Sequence, residues 1–357
     1  MIDEILRKDF FEKEDLLNLL SSGKEESEKI YEKARQIKKE YVGNKVYFRG
    51  LIEYSNYCSK NCFYCGIRSG NKNQGRYQLT EQEVIDAALF AYHNQFASIV
   101  IQSGEKSTKN FTDTIEYLLR EIARLTRNEL HVTLSLGEQS EETYRRWFNA
   151  GAQRYLLRIE TSNQELYKKI HPDNRLHRFE TRLEKLKLLR KTGYMVGSGV
   201  MIGLPFQKIE DLADDLIFFR DFDVDMVGMG PYIEHKDTPL YQYRDQLLPL
   251  QERLNLSLKM VAILRIMMKD INIAATTAMQ TIDPRGREKA LLAGANVMMP
   301  NITPLRYKEN YLLYNNKPGT GDDALKGKEI MERDIRGAGD EIGYGEWGDP
   351  GHFLKRD

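Results

Sequence analysis

The chain opens on helical periodicity. Leu16-Leu17-Asn18-Leu19-Leu20 closes one apolar stripe, and Ile30, Ala34, Ile37 and Tyr41 form the next; three- and four-residue spacing puts side chains on one helix face. Gly43-Asn44 stops that helix. The period then changes. Short β-rich runs begin at Val46-Tyr47-Phe48, Ser98 to Ile101, His131 to Ser135 and Arg154 to Arg158, and continue at Tyr194 to Val200, Asp225 to Met229, Ile271 to Ala275 and Ala295 to Met299. Longer helical patterns separate them: Glu81 to His93, Asp113 to Thr126, Glu141 to Asn149, Arg182 to Thr192, Ile209 to Phe222, Leu254 to Met268 and Arg285 to Leu292. Eight strand–helix units in about 250 residues is the count of a closed parallel barrel. An open doubly wound sheet shares the alternation but not the count. The expected fold class is therefore α/β, a (β/α)8 TIM-type barrel over residues 45–314. An N-terminal helical extension covers 1–44. A glycine- and charge-rich C-terminal tail, 315–357, carries Trp347 and Phe353, which suggests that it packs on the barrel.

Charge narrows the partners. Of 357 residues, 53 are Lys or Arg and 53 are Asp or Glu, so the formal net charge is zero. Such a chain has no overall pull toward nucleic acid or an acidic membrane. The amino terminus interleaves acids and bases and lacks the basic start and apolar stretch of a secretory signal. No apolar run approaches the roughly 20 residues that span a bilayer. A soluble, cytoplasmic protein is expected, without nucleic-acid or membrane partners.

The chain has 3 cysteines, and all lie in one segment, Tyr57-Cys58-Ser59-Lys60-Asn61-Cys62-Phe63-Tyr64-Cys65-Gly66. This crowding is a poor disulfide framework. The segment follows the first strand, at the end of a barrel where active sites sit. Structural zinc wants a fourth ligand, and His93, His235 and His352 are all outside local spacing. An electron-transfer cluster also wants four thiolates. Three thiolates on a four-iron cluster leave one iron open to a small molecule. Elsewhere on the rim, Thr133 and Ser135 share a face of the third strand. Arg154, Arg158 and Glu160 share a face of the fourth; there the alternatives are a buried ion pair or contacts to a ligand. Thr276 and Thr277 end the seventh strand and Met299 ends the eighth, as core or as the lining of a small anion pocket.

Cys-x3-Cys-x2-Cys with an aromatic before the last cysteine resembles the radical S-adenosylmethionine (SAM) superfamily. The resemblance implies a [4Fe–4S] cluster on Cys58, Cys62 and Cys65, whose open iron is chelated by the methionyl amino and carboxyl groups. It further implies that one electron cleaves the sulfonium to methionine and a 5′-deoxyadenosyl radical. Tyr64 would lie beside the adenine, and Ser103-Gly104-Glu105 corresponds to the turn that receives the methionyl ammonium.

The resemblance narrows further. Glu53 to Asn56, the cysteine segment, Gln102 to Glu105, Thr133 to Glu138, Arg154 to Thr161, Asp237 to Leu240, Ala275 to Met279 and Met299 to Asn301 are similar, in order and separation, to the iron–iron hydrogenase maturases of the E type. That family implies an organometallic substrate, an iron–cysteine complex carrying carbonyl and cyanide, and other hydrogenase maturases as partners. By position, Tyr64, Ser135, Glu160 and Arg182 would hold the cofactor, while Thr133, Arg154, Arg158, Thr276, Thr277, Met299 and Tyr311 would line the substrate cavity. Ile159 stands where the family commonly has histidine, which leaves room for a sibling of different substrate. The tail lacks the extra cysteines that give some members a second cluster. A methylornithine synthase-like mutase is the alternative enzyme; biotin synthase needs cysteines beyond Cys65, and none follow. A non-catalytic iron–sulfur carrier is the alternative of another class, and it would not need a SAM pocket.

Overall fold

The computed structural model describes residues 1–356. Strands β1 (Lys45–Phe48) and β2 (Gly50–Ser55) are two halves of one barrel stave, parted at Arg49. Then come β3 (Ser98–Ser103), β4 (His131–Ser135), β5 (Ala152–Leu156) and β6 (Met195–Ser198). Beyond β6 the short β7 (Met201–Ile202) runs on, and β8 (Met226–Val227) is likewise extended by β9 (Gly230–Pro231). The last staves are β10 (Asn272–Ile273) and β11 (Val297–Met298), and β12 (Glu341–Ile342) belongs to the tail.

Seven strands pair in the order β10-β8-β6-β5-β4-β3-β2, all parallel. The eighth stave, β11, joins the two margins. On one side the Ala275 N–H donates to the Val297 carbonyl; on the other the Tyr47, Arg49 and Leu51 N–H groups donate to the carbonyls of Asn296, Met298 and Pro300. The ring is thus closed, as the unit count predicts. Gly50, Ile52 and Tyr54 face the helices, where Tyr54 meets Phe111 at 6.0 Å between ring centres. By alternation Leu51, Glu53 and Ser55 face the lumen. The helix Lys109–Leu125 shows how the outer layer is held: Phe111, Ile115, Leu118, Leu119 and Ile122 form one buried stripe.

The extension folds as helices Ile2–Ile5, Lys13–Ser21 and Lys24–Tyr41. Its Leu16, Leu19, Ile30 and Ala34 are fully buried, and Lys259 of the helix Leu250–Met267 caps it by donating to the Leu20 carbonyl at 2.9 Å. Among the described residues no helix is long and apolar enough to cross a membrane.

The tail forms a helix, Ala324–Gly337, adds β12 in parallel to β1, and then runs under the barrel. There Trp347 stacks on His131 at 3.8 Å, and the Gly348 carbonyl accepts from Asn272 Nδ2 at 2.7 Å. The tail ends in a clasp: His352 sits 2.5 Å from Asp223 through Nε2 and 3.1 Å from Asp270 through Nδ1, with Lys355 on Asp270 and Arg356 on Asp223 and Asp225. The hydrogen bond to Asp270 raises the His352 pKa, although partial burial opposes it. A raised histidine stabilises fully below its unfolded value of about 6.5, and that contribution is lost as pH rises through the folded value. Urea unfolding of His352→Gln should therefore lack the loss of stability that the parent shows above about pH 6.5; equal slopes in both would show that the clasp is not linked to protonation.

Candidate active site

The cysteine loop leaves the end of β2 and is zipped to the end of β3. The Glu105 N–H donates to Cys58 Sγ at 3.3 Å, and the Ser59 N–H donates to the Glu105 carbonyl at 2.8 Å. Gly104 permits this approach, since a Cβ there would lie 2.8 Å from that of Cys58. Ser103 turns its hydroxyl onto the Gly104 carbonyl at 2.6 Å. The three thiols feel one another electrostatically. Burial pushes all three up, Cys65 to about 12, so loading with metal must release protons. Among the described residues no three Cys, His, Asp or Glu side chains converge to hold a single metal ion. A four-iron cube instead needs thiols at separate corners, and a soft, all-sulfur donor trio fits iron–sulfur chemistry.

Beside the thiols lies a buried set of four charges. Lys60 reaches Glu138 at 2.9 Å and Glu105 at 3.3 Å; Arg182 reaches Glu138 at 2.6 Å and Glu105 at 3.8 Å. Each element delivers one group: the cysteine loop, the ends of β3 and β4, and the helix Phe179–Thr192. Gly137, at φ +74°, turns the chain after β4 where any side chain would collide with Glu105. Burial raises the Glu105 pKa and Glu138 adds to it. Burial acts the same way on Glu138, but Arg182 and Lys60 outweigh it and hold that carboxyl low. Of the two acids Glu105 is thus the less committed, and a ligand ammonium beside it would favour its charged form.

A second pair stands at the mouth. Glu160 takes φ +68° and accepts from Arg158 Nε at 3.1 Å on both oxygens. Arg158 also donates to the Val200 carbonyl at 2.8 Å and to the Gly228 carbonyl, and its own carbonyl accepts from Arg182 at 2.7 Å. Tyr64 lies against this group: burial, then Cys62 and Glu160, raise its pKa. Its hydroxyl sits 3.3 Å from His171 Nε2. Ser135 is half-buried at the end of β4, opposite Gln102.

Of the residues expected around the substrate, Thr133 is buried in the lumen with an unpartnered hydroxyl. Thr276 donates to the Met229 carbonyl at 3.2 Å. Thr277 and Met299 border one cavity, and Tyr311 is buried near Glu53, Tyr77 and Cys65. Arg154 is placed differently. Its guanidinium is fully buried and spent on the tail and the floor: Asp349, the Trp347 carbonyl at 2.7 Å and Ser98 Oγ at 2.7 Å. It belongs to the barrel floor and does not line the substrate cavity. Ile159 lies in the apolar core, fully buried.

Four residues of the site carry no earlier expectation. Lys60 and Glu138 complete the charge set. His177 Nε2 accepts the Asn61 N–H at 2.9 Å, and His171 stacks on Tyr167 at 3.9 Å. The signal for Lys60 was its seat between two cysteines. The two histidines come from a loop far away in the chain.

A closed parallel barrel with three thiols in its first loop defines a class. Residues 52–219 match the model of the radical SAM superfamily. The chain is a radical SAM enzyme, and its cofactors are a [4Fe–4S] cluster and S-adenosylmethionine. It is 47% identical to the [FeFe] hydrogenase maturase subunit HydE of Thermotoga maritima over 82% of this chain and 80% of that protein, and it belongs to the HydE family. A 3-methylornithine synthase of Methanosarcina acetivorans is 29% identical over 84% of this chain and 82% of its own. The crystal structure of a methylornithine synthase shares the fold, with a TM-score of 0.80 at 24% identity over 96% of this chain and 97% of that one.

Proposed function

We propose that Cys58, Cys62 and Cys65 ligate the cluster, that Tyr64, Ser103, Gly104, Glu105, Ser135, Glu160 and Arg182 hold SAM, and that the enzyme acts as a maturase in assembly of the two-iron subcluster of [FeFe]-hydrogenase. When bound, the cluster and SAM supply one-electron cleavage to methionine and a 5′-deoxyadenosyl radical. The chain's own residues do the rest. Glu105 receives the methionyl ammonium and Arg182 the carboxylate. The ammonium and carboxylate thereby replace part of the Lys60–Glu105 and Arg182–Glu138 pairings, and between them add no net charge to the buried set. Glu160 accepts from the ribose, with Arg158 keeping it aimed. Closed walls exclude water from a reactive radical.

One observation carries this reading: two acids and two bases converge, buried, beside the three thiols. A carrier of clusters has no use for them. The substrate is an iron–cysteine complex with carbonyl and cyanide ligands, received from other maturases; Thr133, Arg158, Thr276, Thr277, Met299 and Tyr311 line its cavity. The similarity to the Thermotoga maritima maturase supports this choice.

The test is anaerobic reconstitution with iron and sulfide, then dithionite and SAM. 5′-Deoxyadenosine should appear, and adding the product to purified apo-hydrogenase with the other maturases should yield active hydrogenase. Cleavage without maturation would point to a mutase-like sibling; no cleavage would point to a carrier. Within the same assay Arg182→Gln should raise the KM for SAM roughly tenfold to a hundredfold, the worth of one charged hydrogen bond. An unchanged KM would remove Arg182 from the pocket.

A further inference from the structure

We infer that Asp215 is a positioning residue for the ribose of SAM, an inference that rests on Glu160 as the ribose acceptor and names what holds that carboxylate in place. Asp215 belongs to the helix Ile209–Phe222 and is fully buried. Its Oδ1 accepts from the Ser162 N–H at 2.6 Å and from Ser162 Oγ at 2.7 Å, while its Oδ2 has no partner. Among the described residues no Lys, Arg or His forms an ion pair with it within 4.0 Å. Burial pushes its pKa up to about 7, the two donations from Ser162 oppose the rise, and Asp211 and Asp214 add to it. A buried carboxylate without a cation does little for stability. What this one contributes is the fixed place of Ser162.

Glu160, Thr161 and Ser162 are consecutive. Glu160 sits at φ +68°, a region costly for a residue with a side chain, so the chain around it must be held. At Glu160 itself the barrel does this: its N–H donates to the Gly199 carbonyl at 2.9 Å, and its carbonyl accepts from the Met201 N–H at 3.1 Å. Beyond Glu160 the strand has ended, and Asp215 takes over by gripping both donors of Ser162. Asp211, one turn earlier on the same helix face, accepts from Asn163 Nδ2 at 2.6 Å. Arg158 aims the Glu160 carboxylate; Asp215 fixes the backbone from which that carboxylate hangs.

The test uses the anaerobically loaded holoenzyme and S-adenosylhomocysteine, a thioether that has the ribose of SAM and no sulfonium to cleave. Calorimetry compares its affinity with that of its 2′,3′-dideoxy counterpart. The parent should favour the intact ribose roughly tenfold to a hundredfold, the worth of a hydrogen bond to a charged group. Asp215→Ala should cut that ratio at least about fivefold while binding the dideoxy ligand as the parent does. Ser162→Ala, which removes one of the two donors, should cut it roughly threefold. Asp215→Asn keeps an acceptor for Ser162 and should keep most of the ratio; a value as low as in Asp215→Ala would refute the role given to that acceptor. Equal loss of affinity for both ligands would make Asp215 a support of the fold alone. An unchanged ratio in Asp215→Ala would overturn the inference and leave Glu160 its role. A parent ratio near one would overturn the role of Glu160 itself, and that of Asp215 with it. If Asp215→Ala does not fold, Ser162→Ala decides, and an undiminished ratio there is equally fatal.

Discussion

A Cys62→Ser variant, loaded anaerobically with iron and sulfide, is expected to lose the brown chromophore and to form 5′-deoxyadenosine only at the background rate of protein-free mixtures. Cys62 is the most buried of the three thiols, at 9% exposure. No fourth cysteine exists to replace it, and a serine hydroxyl is a harder and weaker ligand for iron in a sulfide cube. A loop with two thiols cannot grip three corners. The change removes little volume and none of the loop's main fastenings, which run through Asn61, Lys60 and the Glu105 backbone. Stability without cluster should therefore stay within about 1 kcal/mol of the parent. The pairing of the two results is what matters: lost iron and lost cleavage on an intact fold. Iron and sulfide counts, product chromatography and a urea melt supply the three numbers. A variant that keeps both chromophore and cleavage would mean that some other side chain holds the third corner.

The parts of the site that were legible in the sequence are those whose signal is local. The cysteine spacing, the turn at Ser103-Gly104-Glu105 and the Arg158–Glu160 pair each sit within a few residues, and strand alternation alone sets which side chains share a face. What escaped depends on height within the barrel or on distant partners. Arg154 does share a face with Arg158, as alternation requires. Pairing, however, begins at Ala152 opposite Val132, two residues earlier than the β-rich pattern suggests, so Arg154 sits low on its stave and Arg158 and Glu160 pass beyond the strand's end. Its partner, Asp349, is 195 residues away in a tail with no strong periodicity. Lys60 and Glu138 carry no expectation from sequence, because only β2, β4 and the helix Phe179–Thr192 bring them to one point. His171 and His177 clamp the cysteine loop from 107 and 116 residues off. Periodicity reports local geometry and burial, and it is silent on which buried charges will meet.

The largest expected loss of stability lies at the floor, in Asp349→Ala. Arg154 is fully buried, and both its Nε, at 3.0 Å, and an Nη rest on the Asp349 carboxylate. A second guanidinium, Arg49, is 5% exposed beside it and donates to the Gly348 carbonyl at 3.3 Å. Burial lowers the pKa of both arginines, their proximity lowers that of Arg49 further, and Asp349 opposes the shift in each. Without the carboxylate two like charges face each other in the closed end of a barrel. Breaking one partner out of a buried pair costs about 3–5 kcal/mol, a large share of the roughly 5–15 kcal/mol that holds a typical domain folded. Asp349→Asn keeps the shape and an acceptor and should cost less. Replacing Arg154 and Asp349 together by leucine should recover most of the loss, because the desolvation of the guanidinium disappears with it. Urea unfolding of the four proteins without cluster measures this ladder. A loss below about 1 kcal/mol for Asp349→Ala would mean that water already reaches Arg154. It would also undo the role given to residues 347–349, a floor that keeps solvent out of a chamber where a radical is to be handled.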